Sequence, residues 1–116
     1  MADFTLDYLE LPSADAGKSR AFFSDAFGWT HVDYGGSYAE IRGAGLLFGV
    51  NADAADRSAA PMAVIRTDDL AAAEKAVVAA GGTITREAYD FPGGRRFFFR
   101  EPGGAELAVY AASEDA

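Results

Sequence analysis

Gly93-Gly94-Arg95-Arg96-Phe97-Phe98-Phe99-Arg100-Glu101-Pro102-Gly103-Gly104-Ala105-Glu106-Leu107-Ala108-Val109-Tyr110 reads as strand, tight turn, strand, with Pro-Gly-Gly as the punctuation. A shorter echo closes the first half of the chain: Ser37-Tyr38-Ala39-Glu40-Ile41-Arg42, a glycine-rich turn, then Leu46-Leu47-Phe48-Gly49-Val50. Working outward from these two hairpins, each half repeats one plan. In the first, an alternating strand at 4–11 ends at Pro12, and Ser13 or Asp15 caps a helix. That helix places Phe22, Phe23, Ala26 and Phe27 at core spacing and stops at Gly28. Strands at 29–34, 37–42 and 46–50 follow. In the second half a strand at 62–66 leads to a helix capped by Thr67 or Asp68, with Leu70, Ala73, Val77 and Val78 as its buried stripe and Gly81-Gly82 at its end. Strands at 83–89, 95–100 and 106–111 complete it.

The register between the halves is tight. Asp15 and Asp69 lie 54 residues apart, as do Gly28 and Gly82, while Arg42 and Arg100 lie 58 apart because one connection is longer. Each half is therefore β-α-β-β-β, and one such unit leaves a sheet face for the other to share. The 116 residues make one domain, 1–116, of two modules at 1–52 and 61–112, with the polar, Ala-rich stretch 51–60 as linker.

Composition narrows the function. A formal charge of −8 disfavours nucleic acid, whose phosphates demand basic patches. The absence of cysteine removes disulfides, thiolate nucleophiles and Cys-ligated metal. No apolar run is long enough to span a membrane, and no basic-then-apolar leader opens the chain, so a cytoplasmic location is expected. There is no P-loop, no dinucleotide-binding glycine fingerprint and no nucleophile elbow. The single histidine, His31, reads as a surface side chain beside Asp33.

Paired β-α-β-β-β modules resemble the vicinal oxygen chelate superfamily, which includes glyoxalase I, extradiol dioxygenases and bleomycin-resistance proteins. The resemblance is carried by Asp15…Phe22-Phe23…Phe27-Gly28-Trp29, by Asp68-Asp69-Leu70…Ala80-Gly81-Gly82, and by Gly93-Gly94-Arg95…Phe99-Arg100-Glu101-Pro102-Gly103-Gly104-Ala105-Glu106-Leu107. It implies an α+β fold in which the two modules form a curved, mixed eight-stranded sheet with helices outside and a ligand cleft inside. It also implies metal-ligand positions on the first and last strand of each module. They fall at Tyr8 and Met62, at Ala108, and within 46–50. No His or Glu stands at any of them, so no metal and no cofactor is expected.

Strand alternation gives the rest of the candidate cleft. Phe97 and Phe99 oppose Arg96, Phe98 and Arg100, and Ala39 and Ile41 oppose Tyr38, Glu40 and Arg42. The smooth faces should pack under the helices and the mixed faces line the cleft. The expected ligand cleft is thus Tyr8, Glu10, Tyr38, Glu40, Arg42, Met62, Arg96, Phe98, Arg100, Glu106, Ala108 and Tyr110. The resemblance implies a metal-independent binder of a small molecule, acting as a homodimer. Three cleft arginines would repel a polycation, which points to a zwitterionic or anionic ligand. The alternatives are a metal-independent isomerase or lyase with Glu106 or Glu10 as base, a non-catalytic partner module, and a metal-dependent lyase or dioxygenase.

Overall fold

The computed structural model describes residues 3–113. Its elements follow the order β1 (Phe4–Pro12), α1 (Ala16–Phe27), β2 (Thr30–Asp33), β3 (Tyr38–Arg42), β4 (Leu47–Asn51), β5 (Met62–Thr67), α2 (Leu70–Ala79), β6 (Thr83–Phe91), β7 (Gly94–Arg100) and β8 (Glu106–Ala112). This is the β-α-β-β-β plan twice over, eight strands of mixed direction with two helices. No described helix is long and apolar enough to cross a membrane.

The chain divides into two compact units. The first is Tyr8–Met62, and the second is made of the described residues of Met1–Asp7 and Ala63–Ala116. The boundary cuts β1, whose first residues belong to the second unit and whose Tyr8 to Pro12 stretch pairs in parallel with β4.

In the first unit the strands run β2-β3-β4-β1. Asp15 begins α1, its side chain accepting from the Lys18 backbone N–H at 3.0 Å, and Gly28 ends it in the left-handed conformation, φ 73°. The helix covers Ile41, Phe48 and Val50 through Phe23, which stacks on Trp29 at 5.7 Å and meets Phe48 edge-on at 5.2 Å. Phe22 and Phe27 were expected in this core and are not there; each is more than half exposed. A helix of 12 residues touches the sheet along one narrow stripe, and Phe23 with Ala16 occupies it. The stretch after β4 is fastened rather than loose. Asn51 is buried, its side chain donates to Glu10 at 3.0 Å and to Asp56 at 2.8 Å, and Arg57 donates to the Ser13 carbonyl.

In the second unit the order is β5-β8-β7-β6. Asp69, not Thr67 or Asp68, caps α2 by accepting from the Ala72 N–H at 3.0 Å, while the Thr67 hydroxyl accepts from the Asp69 N–H. Ala73, Leu70 and Val77 pack on Phe97, Phe99 and Val109. Val78, expected in that stripe, is more than half exposed, since only one of two neighbouring positions can face the sheet. Between α2 and the sheet lies an apolar cavity of about 300 Å³ walled by Ile65, Ala76, Val77, Phe99 and Val109, with Phe4 at its side.

Gly94 opens β7 at φ 150°, and a Cβ there would run into the Ala111 carbonyl of β8. Gly94→Ala should therefore destabilise the protein by about 1–3 kcal/mol in urea titration, the range for strained and overpacked positions. An unchanged midpoint would show that the β7–β8 pairing is looser than described.

Candidate functional site

The four strands of each unit pack on one helix, which meets one of their faces, and the candidate residues gather on the other. In the second unit three register pairs put Arg66 of β5 beside Tyr110 of β8, Tyr110 beside Arg96 of β7, and Arg96 beside Tyr89 of β6. This is one row across all four strands. The next row runs Val64, Ala108, Phe98 and Arg86. Arg96, Phe98, Arg100, Glu106, Ala108 and Tyr110, six of the residues expected in the cleft, thus share one face, opposite to the Phe97 and Phe99 that meet α2.

Arg96 is only 6% exposed. Its Nε donates to the Tyr89 hydroxyl at 2.5 Å, and its guanidinium carbon lies 5.2 to 5.6 Å from the ring centroids of Tyr89, Phe91 and Phe98. Arg86 lies over the Tyr89 ring at 4.0 Å and 5.2 Å from Phe98. Arg66 stands 5.9 Å from the Tyr110 ring. The Tyr110 hydroxyl donates to Asp7 at 3.0 Å, and its phenol is pushed up to about 12, by burial first and then by the Asp7 carboxylate, with Arg66 acting in the opposite sense. At the rim, Arg100 donates to the Gly104 carbonyl at 2.7 Å and so braces the β7–β8 turn, and Glu106 accepts from the Thr85 hydroxyl at 2.6 Å.

The first unit holds the other six. Tyr8 and Tyr38 share a hydroxyl–hydroxyl hydrogen bond above Gly49, where a Cβ would collide with both oxygens. Glu10 is 2% exposed and pairs in register with Gly49, its carboxylate bound by Asn51. Glu40 accepts from Arg42 Nε at 2.9 Å, with Arg42 exposed. Met62 is buried at the start of β5. His31 Nε2 lies 4.0 Å from Asp33, which also faces Arg20 at 3.6 Å.

The family's metal positions fail a test of donor chemistry. Met62 offers a thioether, Ala108 a methyl group, and the Tyr8 hydroxyl is joined to that of Tyr38. No group of three His, Cys, Asp or Glu side chains among the described residues could hold an ion. These residues do not fit a divalent metal.

Alternation from Met62 reaches Arg66 on the same face, a step the sequence reading did not take. Arg86 and Tyr89 are three residues apart, which alternation places on opposite faces. Register shifts between Ile84, Arg86 and Tyr89 bring both onto the same one. Asp7 and Asn51 were missed because nothing local marks either.

Residues 5–109 match the Glyoxalase/Bleomycin resistance protein/Dioxygenase superfamily. The chain belongs to that superfamily. Among curated proteins, no sequence matches it. Solved structures share the fold of this superfamily member at low identity. The NAD-dependent benzaldehyde dehydrogenase structure from Legionella pneumophila has TM-score 0.78 at 12% identity, over 91% of this chain and 98% of that one. Methylmalonyl-CoA epimerase from Mycobacterium tuberculosis has TM-score 0.65 at 16%, over 93% and 87%. The Mn(II)-bound glyoxalase from Novosphingobium aromaticivorans has TM-score 0.60 at 20%, over 94% and 38%.

Two outcomes check this geometry. In an ultraviolet titration, Tyr110→Phe should remove a phenol ionising near pH 12, and Asp7→Asn should move it down without returning it to the ordinary value of about 10, since burial remains. Because the native state holds this proton more tightly, stability is unaffected below about pH 10 and falls from there to about 12. Loss of a phenol ionising near 10 in Tyr110→Phe would contradict the Asp7 contact. Separately, Gly49→Ala should lower stability by about 1–3 kcal/mol. Removing the hydroxyl groups in the background of Tyr8→Phe with Tyr38→Phe should recover part of that loss, the Tyr38 ring carbon still standing 2.7 Å from the added Cβ, and equal losses in both backgrounds would exclude the hydroxyl clash.

Proposed function

We propose that this superfamily member is a metal-independent binding protein for a small organic molecule, and that the helix-free face of its second unit receives the ligand. The observation that carries the reading is Arg96, a guanidinium buried among three aromatic rings on a sheet face that no helix covers. A strand that only needed to fill a core would place an apolar side chain there, as β7 does on its other face with Phe97 and Phe99. The rings contribute about 0.5–2 kcal/mol to holding the guanidinium there. Its position at the centre of a polar and aromatic face supports a binding role. The unsuitable donor set at Met62, Tyr8 and Ala108 supports independence from metal.

A second reading, proton transfer in an isomerase or lyase, draws on Glu106. Its carboxylate stands on the same face as Ala108 and Tyr110 and is oriented by Thr85. A placed carboxylate base contributes about 100- to 10,000-fold.

Thermal denaturation against a library of metabolites, with no added metal, tests the first reading. A ligand held at about 100 times its dissociation constant should add about 2.7 kcal/mol of stability, and Arg96→Met should abolish the shift. A library without a single stabilising compound, or shifts that survive Arg96→Met, would overturn it. Should a ligand also turn over, Glu106→Gln should stop turnover and leave binding intact; surviving turnover would remove Glu106 as the base.

A further inference from the structure

The apolar cavity of the second unit lies on the α2 side of its strands, away from the face proposed to receive a ligand, and the binding reading makes no use of it. Its floor is Ile65 of β5, Val109 of β8 and Phe99 of β7, and its roof is Ala76, Val77 and Ala80 at the end of α2. Ala76 and Ala80 are exposed rather than packed on the floor, so the space opens to solvent beside them. Leucine is nearly as good a helix former as alanine and at either position would reach over the floor. The volume of about 300 Å³ therefore follows from the size of the side chains that α2 presents there.

The walls decide what fits. Backbone groups around the space are already bonded: the Ala76 and Val77 carbonyls accept from the Ala80 and Gly82 N–H groups, and β5, β8 and β7 pair with one another. Glu101 is the one ionisable residue of the wall, and its carboxylate is engaged in the β7–β8 turn, accepting from the Gly103 N–H at 2.6 Å. Water between such walls finds few of the about two to four polar partners that hold a buried water in place. An apolar body that displaces poorly held water gains affinity. A carboxylate would lose its hydration with no cation in the wall to meet it. Size sets the rest. An apolar cavity of roughly 150 Å³ takes one benzene ring, so about 300 Å³ has room for a body of two fused rings.

We propose that this cavity is a second binding site of the protein, taking a compact, uncharged hydrocarbon body the size of two fused rings between α2 and the strands. The site is separate from the helix-free face and stands or falls independently of the ligand proposed there.

The test is a titration of the full chain with naphthalene, followed through its methyl resonances, which the ring current of a seated aromatic probe displaces. Ile65, Val77 and Val109 should shift together and saturate, while Ile41 and Val50, in the core of the first unit, stay in place. 2-Naphthoate, the same rings bearing a carboxylate, should bind at least about tenfold more weakly. Ala76→Leu and Ala80→Leu should each weaken naphthalene at least about tenfold by filling the space, with the thermal midpoint kept; the two positions are separate, so one variant still reports if the other folds poorly. Val78→Leu, on the exposed side of the same helix, should change nothing. No saturable shift at the three methyl-bearing residues, equal affinity for 2-naphthoate, or affinity that survives both leucine variants would overturn the site. Shifts confined to the Ala108 methyl would place naphthalene on the helix-free face, overturning this site and leaving the binding reading intact. Sedimentation of the same samples reads one more outcome: a dimer that both leucine variants dissociate, with naphthalene leaving the methyl groups unmoved, would give the cavity to a second copy of the chain, and the proposal would fall.

Discussion

One helix cannot cover two faces of a sheet. Each unit pairs four strands with a single helix, and every other feature of the molecule is arranged around the face left over. On β7 the constraint is visible residue by residue: Phe97 and Phe99 close against α2, while Arg96 and Phe98 turn the other way. The apolar face supplies the stability, since burying one phenylalanine side chain contributes about 1.5–3 kcal/mol. The opposite face is freed to carry chemistry.

What that face carries is arginine set among aromatic rings. Arg96 gains from Tyr89, Phe91 and Phe98 together and from its bond to the Tyr89 hydroxyl, which fixes its orientation. Orientation fixed in advance reduces the ordering cost of binding. Elsewhere the same residue types serve the fold. Arg100 braces a turn, Arg42 pairs with Glu40, and Arg95 pairs with Asp90, all at exposed positions where such pairs are worth about 0–1 kcal/mol. Burial and aromatic surroundings, not charge alone, set Arg96 apart. In members of this superfamily that use a metal, the ion would supply the local positive charge; here the guanidinium groups are proposed to take its place.

Much of this was legible in the chain. The 54-residue register between Asp15 and Asp69 and between Gly28 and Gly82 gave the duplicated plan, and period-two alternation sorted β7 and β8 onto their correct faces. Signals of longer range were not legible. Bulges in β6 bring Arg86 and Tyr89 to one side against their spacing. The Tyr8 and Tyr38 hydroxyls meet over Gly49 from strands that are 30 residues apart in sequence. Asn51, in a stretch with the composition of a linker, anchors Glu10. On α1, aromatic spacing promised a core role to Phe22 and Phe27, and the narrow stripe along which the helix meets the sheet left them more than half exposed because Phe23 already fills it. Local patterns report the face a residue takes; they do not report what meets it from a distant strand.

The central claim is that guanidinium and aromatic groups, rather than a bound metal, do the work of this site. Elemental mass spectrometry on untagged protein, purified and dialysed without chelator, tests it most directly. Far less than one first-row metal ion per chain is expected. A stoichiometric ion that survives dialysis would contradict it and return the assignment of Tyr8, Met62 and Ala108 to the start.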